Sequence, residues 1–266
     1  MGKLLAAYLM PHPAVLIPEI GQGEEKKLKK TTAAIRRAAK EIKELAPDNI
    51  IVITPHGAAF MGALSVFGGK LAQKTMEEMD APDVWLSLET NQCFSIELKK
   101  ACDARKLGLI LDEQFGLDNG SFVPLYLISR EHPEFKVSLL CPGFVSKRDT
   151  EVYGECIREA IEKSEGSFVI IASGDMSHML CEEGPYGYSE QGMYFEGLID
   201  SVFESGNLSK ILDISMKCLN EAGQCGLGSL RLAINSVPEE RRKGEKYSHE
   251  WPFGIGYLVA SLMIRE

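Results

Sequence analysis

Short, wholly apolar runs recur along the chain and alternate with longer stretches in which apolar residues return every three or four positions. Residues 4–10, 50–53 and 168–172 are the clearest runs, and each reads as a strand buried on both faces. Between the first two, residues 24–45 place Leu28, Ala34, Ile35, Ala38, Ile42 and Leu45 at roughly helical spacing among lysines and arginines, the pattern of an amphipathic crossover helix. Strand, helix, strand in that order is a βαβ unit, so the first two runs should be adjacent parallel strands joined by a right-handed crossover. Further strands are expected at 64–67, 84–88, 107–111, 136–140 and 255–264, and helices near 92–105, 148–163, 190–204, 208–213 and 224–235. No repeat, low-complexity tract or linker rich in Pro, Gly or Ser divides the chain. The expectation is a single α/β domain over 1–266, with a central, largely parallel (mixed) sheet flanked by helices on both faces.

Composition narrows the function. A hydrophobic content of 45% with 25% charged residues is that of an ordinary globular protein. The net charge of -9, from 29 basic and 38 acidic residues, argues against nucleic acid and against an anionic membrane surface as partners. No apolar stretch approaches the roughly 20 residues that span a bilayer. The N-terminal MGKLLAAYLMPHP has too short an apolar run, and no small-residue cleavage site, to read as a secretory signal. Seven cysteines (Cys93, Cys102, Cys141, Cys156, Cys181, Cys218 and Cys225) form no CxxC pair and are odd in number. They fit reduced thiols in a cytoplasmic protein.

Candidate chemistry gathers where the apolar runs end. Three of the five histidines, His12, His56 and His178, sit just past the three clearest runs. In an open α/β sheet that edge is where ligands bind, and imidazole is the commonest protein metal ligand. One such histidine is more often a packed or surface residue than a ligand. Two of them in the same proline-flanked context, Pro11-His12-Pro13 and Pro55-His56-Gly57, favour convergence on a metal. His178 closes the run SGDMSH at 173–178, where small residues allow a sharp exit and Asp175 could fix the histidine's tautomer. The alternative there is that Asp175 and Ser177 cap the next segment. Asp118-Asn119-Gly120 alone is a turn. Cys225 lies at the expected start of a helix, where a thiol pKa is lowered and a thiolate makes a good ligand. By composition alone, a buried cysteine packed on glycine is the stronger reading. His132 falls in a charged turn, and the glycines after His249 precede no helix, so they carry no phosphate-binding signal.

The motifs PHPAVLIPEIG, TPHG, LDNGSFVPLYL, SGDMSH and EAGQCG, in that order and spacing, resemble the class III extradiol dioxygenase superfamily of catalytic B-subunit type. The resemblance covers nearly the whole chain. In that superfamily two histidines and a glutamate hold a ferrous ion, and dioxygen opens catechol-like rings. It implies His12 and His56 as ligands and His178 as the active-site base, with Asp175 beside it. Two positions depart from the pattern. Asn119 stands where the superfamily has a histidine that contacts substrate and oxygen, and Gly228 aligns with the ligating glutamate. One turn earlier, Cys225 lies in a Cys-Gly context that resembles the Memo-like, AmmeMemoRadiSam-associated branch, where a cysteine takes the metal-site position. Glu221 and Glu250 are the carboxylate alternatives. The resemblance thus implies a mononuclear metal-dependent oxidoreductase holding Fe(II), with Zn or Cu as alternatives, and using a small aromatic substrate and dioxygen. The competing readings are a metal-binding or redox protein without ring cleavage, and a peptide- or protein-binding module using the same cleft. A homo-oligomer is compatible with each.

Overall fold

The computed structural model describes residues 1–214 and 220–264; Cys218 lies outside the described residues. Strands β1 (Lys3–Met10), β2 (Asn49–Ile53), β3 (Ala63–Phe67), β6 (Gly108–Asp112), β7 (Lys136–Cys141), β8 (Ser167–Ser173), β9 (Arg242–Glu250) and β10 (Tyr257–Met263) form one sheet. Its order is β6-β3-β7-β2-β8-β1-β10-β9. The four central strands β7, β2, β8 and β1 run parallel, while β3 joins β7, and β10 joins β1 and β9, in antiparallel fashion. Two strands, β4 (Leu71–Met76) and β5 (Ala81–Glu89), pair only with each other. The mixed α/β sheet is the expected class.

The apolar runs are wholly buried because each serves two layers. Alternate residues point to opposite faces. Ala7, Leu9, Ile51, Ile53, Ile170 and Ala172 share one layer with helices α2 (Gln92–Ala104), α4 (Lys147–Lys163), α5 (Glu190–Ser205) and α6 (Leu227–Ser236). Tyr8, Met10, Ile50, Val52, Val169 and Ile171 face the other layer, covered by α1 (Lys29–Leu45) and α3 (Asn119–Ser129). No helix among the described residues is long and apolar enough to cross a membrane.

Three expectations change. The first two runs are parallel but not neighbours, because β8 lies between β1 and β2. Residues 24–28 form a 3-10 turn ahead of α1 rather than its first turn. Asp118-Asn119-Gly120 is not an isolated turn: Asp118 accepts the Ser121 N–H, the Ser121 hydroxyl lies beside the Asp118 N–H, and this capping box starts α3.

Ile170 in the middle strand has no exposed surface. Ile170→Ala should cost about 2–5 kcal/mol of unfolding free energy, measured by denaturant titration, as a buried isoleucine truncation does. A loss under about 1 kcal/mol would contradict a close-packed sheet centre.

Candidate metal centre

The order β2-β8-β1 sets three strand exits side by side. Leu9 and Ile53 both pair with Ala172 of β8, and Met10 pairs with Ser173, so the chain leaves all three strands at one level. His12 follows β1, His56 follows β2, and the 173–178 run follows β8.

His12 is 8% exposed, and its backbone N–H donates to Asp175 Oδ1 at 3.0 Å. Its ring Nδ1 lies 2.9 Å from Ser173 Oγ, and that hydroxyl donates to the Gly120 carbonyl at 2.5 Å. A serine hydroxyl has one proton. Having given it to Gly120, Ser173 can only accept from His12, which puts the ring proton on Nδ1 and a lone pair on Nε2. The Gly120 carbonyl is free for this because Pro124, four residues on inside α3, has no N–H to offer it.

His56 is held from the other side. Its N–H donates to Thr54 Oγ1 at 3.3 Å, and the Thr54 hydroxyl donates to Asp118 Oδ1 at 2.7 Å. The helix cap and the histidine loop thus share one carboxylate. A Cβ on Gly120 would stand 2.5 Å from Thr54 Oγ1 and 3.3 Å from His56 Cδ2, so only glycine fits between them.

The two Nε2 atoms lie 3.1 Å apart, with the rings at 81°. Two nitrogens bound to one tetrahedral ion at ~2.0–2.1 Å would lie about 3.3 Å apart. Cys225 Sγ is 3.9 Å from His12 Nε2, against about 3.6 Å for nitrogen and sulfur on such an ion. The donor set therefore fits a transition ion. Cys225 arrives through backbone contacts alone. Its N–H and that of Gly226 donate to the Asp175 carbonyl, at 3.3 and 2.9 Å, while its sulfur accepts from the Asp175 N–H at 3.3 Å. A Cβ on Gly174 would lie 2.0 Å from Gly226 Cα, so two glycines allow this crossing.

Burial governs the electrostatics. It pushes His12 down to about 4, with His56 adding to the effect, and it lowers His178 against the opposing pull of Asp175. It raises Asp175 to about 6, against the His12 N–H. Burial also pushes the Cys225 thiol up to about 12, with the Asp175 charge adding to it. The expected lowering of that thiol by a helix N-terminus is thus overturned. Gly226 is the N-cap of α6, Cys225 precedes it, and desolvation wins. A bound cation would reverse the balance toward thiolate.

His178 Nε2 is buried with no hydrogen-bond partner, and its ring stands 5.1 Å from that of Tyr186. Asn119 Oδ1 is likewise buried and unpartnered. Each orphaned polar atom leaves a hydrogen bond that a polar ligand could complete. Asp175, expected to fix the His178 ring, instead takes the His12 backbone N–H. Glu221 is exposed. Glu250 is committed elsewhere, accepting the Thr31 N–H at 2.7 Å and its hydroxyl at 2.8 Å. Neither joins the metal-ligating groups found among the described residues. Gly228 lines the cleft, and a Cβ there would meet only Pro142, at 3.4 Å or more.

That cleft, about 1000 Å³, opens outward from His56 and Cys225 between Pro142, Phe144 and Arg231. Two participants were not singled out from sequence. Ser173 was read only as a small residue, although a hydroxyl directly after an apolar strand was the available signal. Glu196, 2% exposed, accepts the Ser177 N–H at 2.6 Å and lies 2.5 Å from His249 Nε2, so it pins the loop that carries His178. Burial works against the His249 charge, but Glu196 and Asp200 outweigh it and raise its pKa.

Comparison with known proteins gives the family and a likeness of fold. Residues 6–260 match the family described as the catalytic LigB subunit of aromatic ring-opening dioxygenase. A Clostridium acetobutylicum protein is 31% identical over 264 residues, covering 96% of this chain and 56% of its own length. The beta subunit of a Pseudomonas 2-aminophenol 1,6-dioxygenase is 27% identical over 204 residues, covering 69% of this chain and 66% of its own length. The chain thus spans less than two thirds of either relative. The crystal structure of an uncharacterized Escherichia coli K12 protein superposes with a TM-score of 0.60 at 14% identity, covering 97% of this chain and 99% of the other, a likeness of fold.

Removing the hydroxyl that fixes the His12 tautomer should loosen any bound ion. Ser173→Ala is expected to lower metal affinity by about 10- to 100-fold, the usual cost of losing such a partner, with the fold retained. Pro124→Ala should act in the same direction, because a restored helix N–H would compete for the Gly120 carbonyl. Competition titration against a chelator reads both, and unchanged affinity in Ser173→Ala would remove the relay from the account.

Proposed function

Because the chain belongs to the LigB family of aromatic ring-opening dioxygenase catalytic subunits, we propose that it is a mononuclear metal-dependent oxidoreductase. Its substrate would be a small aromatic ring bearing adjacent hydroxyl or amino groups, used with dioxygen. The observation that carries this reading is the meeting of His12 Nε2, His56 Nε2 and Cys225 Sγ, with His56 and Cys225 lining the cleft. These three residues would hold the ion, Fe(II) by family and Zn or Cu by the softness of a thiolate. A bound iron would supply Lewis acidity and one-electron chemistry toward dioxygen.

The protein's own residues would do the rest. His178 stays neutral near pH 7 because burial disfavours its charge, so its unpartnered Nε2 can take a proton from a substrate hydroxyl. The Asn119 amide can orient the substrate by hydrogen bonding but cannot exchange protons as a histidine would. Proton transfer therefore rests on His178. The ring would lie in the cleft against Pro142 and Phe144. The six free cysteines among the described residues support a reducing, cytoplasmic setting.

Cys225 and Gly228, where the superfamily has its carboxylate, support a second reading. In it the chain is a Memo-like metal-binding protein that does not open rings. Anaerobic loading with ferrous iron, then exposure to dioxygen with catechols and 2-aminophenols, separates the two. Yellow ring-opened product is expected with at least one compound, and fully loaded protein that forms none with any of them favours the second reading.

His12→Ala and His56→Ala should each abolish stoichiometric binding of ferrous iron, and Cys225→Ser should weaken it by about 10- to 100-fold or more. His178→Ala should keep the ion and lose turnover by about 100- to 10,000-fold, the usual contribution of a general base. Wild-type metal content in both histidine variants would sink the ligand assignment.

A further inference from the structure

A second set of donor atoms lies next to the first. Asp175, His178 and Cys225 each present one ligand atom, and the three atoms lie within 4.8 Å of one another. Each comes with geometry suited to an ion. His178 Nε2 is buried and has no hydrogen-bond partner. Asp175 is 6% exposed; its Oδ1 takes the His12 N–H, and its Oδ2 stands 3.8 Å from His12 Nε2, beyond hydrogen-bond reach. The Cys225 sulfur sits between the two groups, 3.9 Å from His12 Nε2 on one side and within 4.8 Å of the Asp175 and His178 ligand atoms on the other. The main chain fixes all three, through Asp175 N–H to Cys225 Sγ, Cys225 N–H to Asp175 O, and His178 N–H to Gly223 O.

The geometry points to a second transition-ion site made of Asp175, His178 and Cys225, which shares the Cys225 sulfur with the His12–His56 ion. It rests on the proposed first site only through that shared sulfur. A thiolate keeps enough lone pairs to bridge two ions, and with the Asp175 carboxylate it brings two negative charges against their mutual repulsion. Sulfur, imidazole and a single carboxylate select borderline-soft ions such as Zn2+ or Co2+ over Mg2+ or Ca2+, which need oxygen-rich shells. An ion here takes the His178 lone pair that a general base must keep. Loading the second site therefore switches off proton transfer while leaving the first ion in place, so excess Zn2+ acts as an inhibitor.

Equilibrium dialysis of the full chain against Zn2+, with metal analysis, tests this without any assay of turnover. The wild type should bind about two equivalents. His178→Ala should bind one and keep its melting temperature, and His56→Ala should also bind one, because it disables only the first site. Asp175→Asn serves as a second probe of the new site should His178→Ala be unstable. With Co2+, the sulfur-to-metal absorption should grow in two steps in the wild type and in one step in His178→Ala. A single equivalent in the wild type, or two in His178→Ala, overturns the proposal. Two equivalents kept by both His56→Ala and His12→Ala, one of them dependent on His178, would count against the first site alone.

Discussion

One proton on one hydroxyl organises this centre. Ser173 leaves the middle strand between the two histidine-bearing strands, donates to Gly120 and accepts from His12. That commitment makes His12 Nε2 a lone pair rather than an N–H, which a metal ligand requires. It also ties three separate parts of the chain together: the end of β8, the start of α3, and the loop after β1. The acceptor exists only because a proline inside α3 withholds the helix bond that would otherwise occupy it. A local flaw in a helix is thereby used to orient a ring on another element.

The electrostatic character of the centre follows from burial. His12 and His178 are held toward their neutral forms, and so are Asp175 and Cys225. Without a cation His12, His178 and the Cys225 thiol are neutral at pH 7, and Asp175, raised only to about 6, supplies the negative charge. A cation would draw the proton off the Cys225 thiol, which burial holds protonated without it. Binding should therefore release protons, and the apparent affinity should rise with pH until the ligands are deprotonated.

Much of this could be read from the chain, and the parts that could not share a cause. The runs at 50–53 and 168–172 were legible as strands because burial on both faces leaves an uninterrupted apolar stretch. His12, His56 and His178 were legible as a group because strand ends in such sheets converge. β9 was missed because it is an edge strand: RKGEKYSHE carries little burial and therefore little pattern. β4 was missed for a similar reason, pairing only with β5 outside the main sheet. α3 was missed because NGSFVPLYLIS is apolar all round and holds a proline, which reads as turn followed by core. The placement of β8 between β1 and β2, and Asp175 turning to His12 rather than His178, depend on contacts between residues more than 100 positions apart. Periodicity carries no information about such contacts. The thiol of Cys225 was misjudged because desolvation, a property of the whole fold, outweighed a local helix-end effect.

The place of β8 in the sheet has a consequence for how the protein comes into being. β1 and β2 are made early, yet they never touch along their length, because a strand made more than 100 residues later lies between them. The two histidines can be brought to their final spacing only once that strand has slotted in. A metal ion that clamped His12 to His56 before β8 was in place would hold the two strand ends across the gap that β8 must enter. Long-range parallel pairing of this kind is slow, because loop-closure entropy is paid before any contact rewards it. The two histidines thus reach their final spacing only with β8 in place, and a chain in which β8 is unpaired lacks the frame that holds an ion.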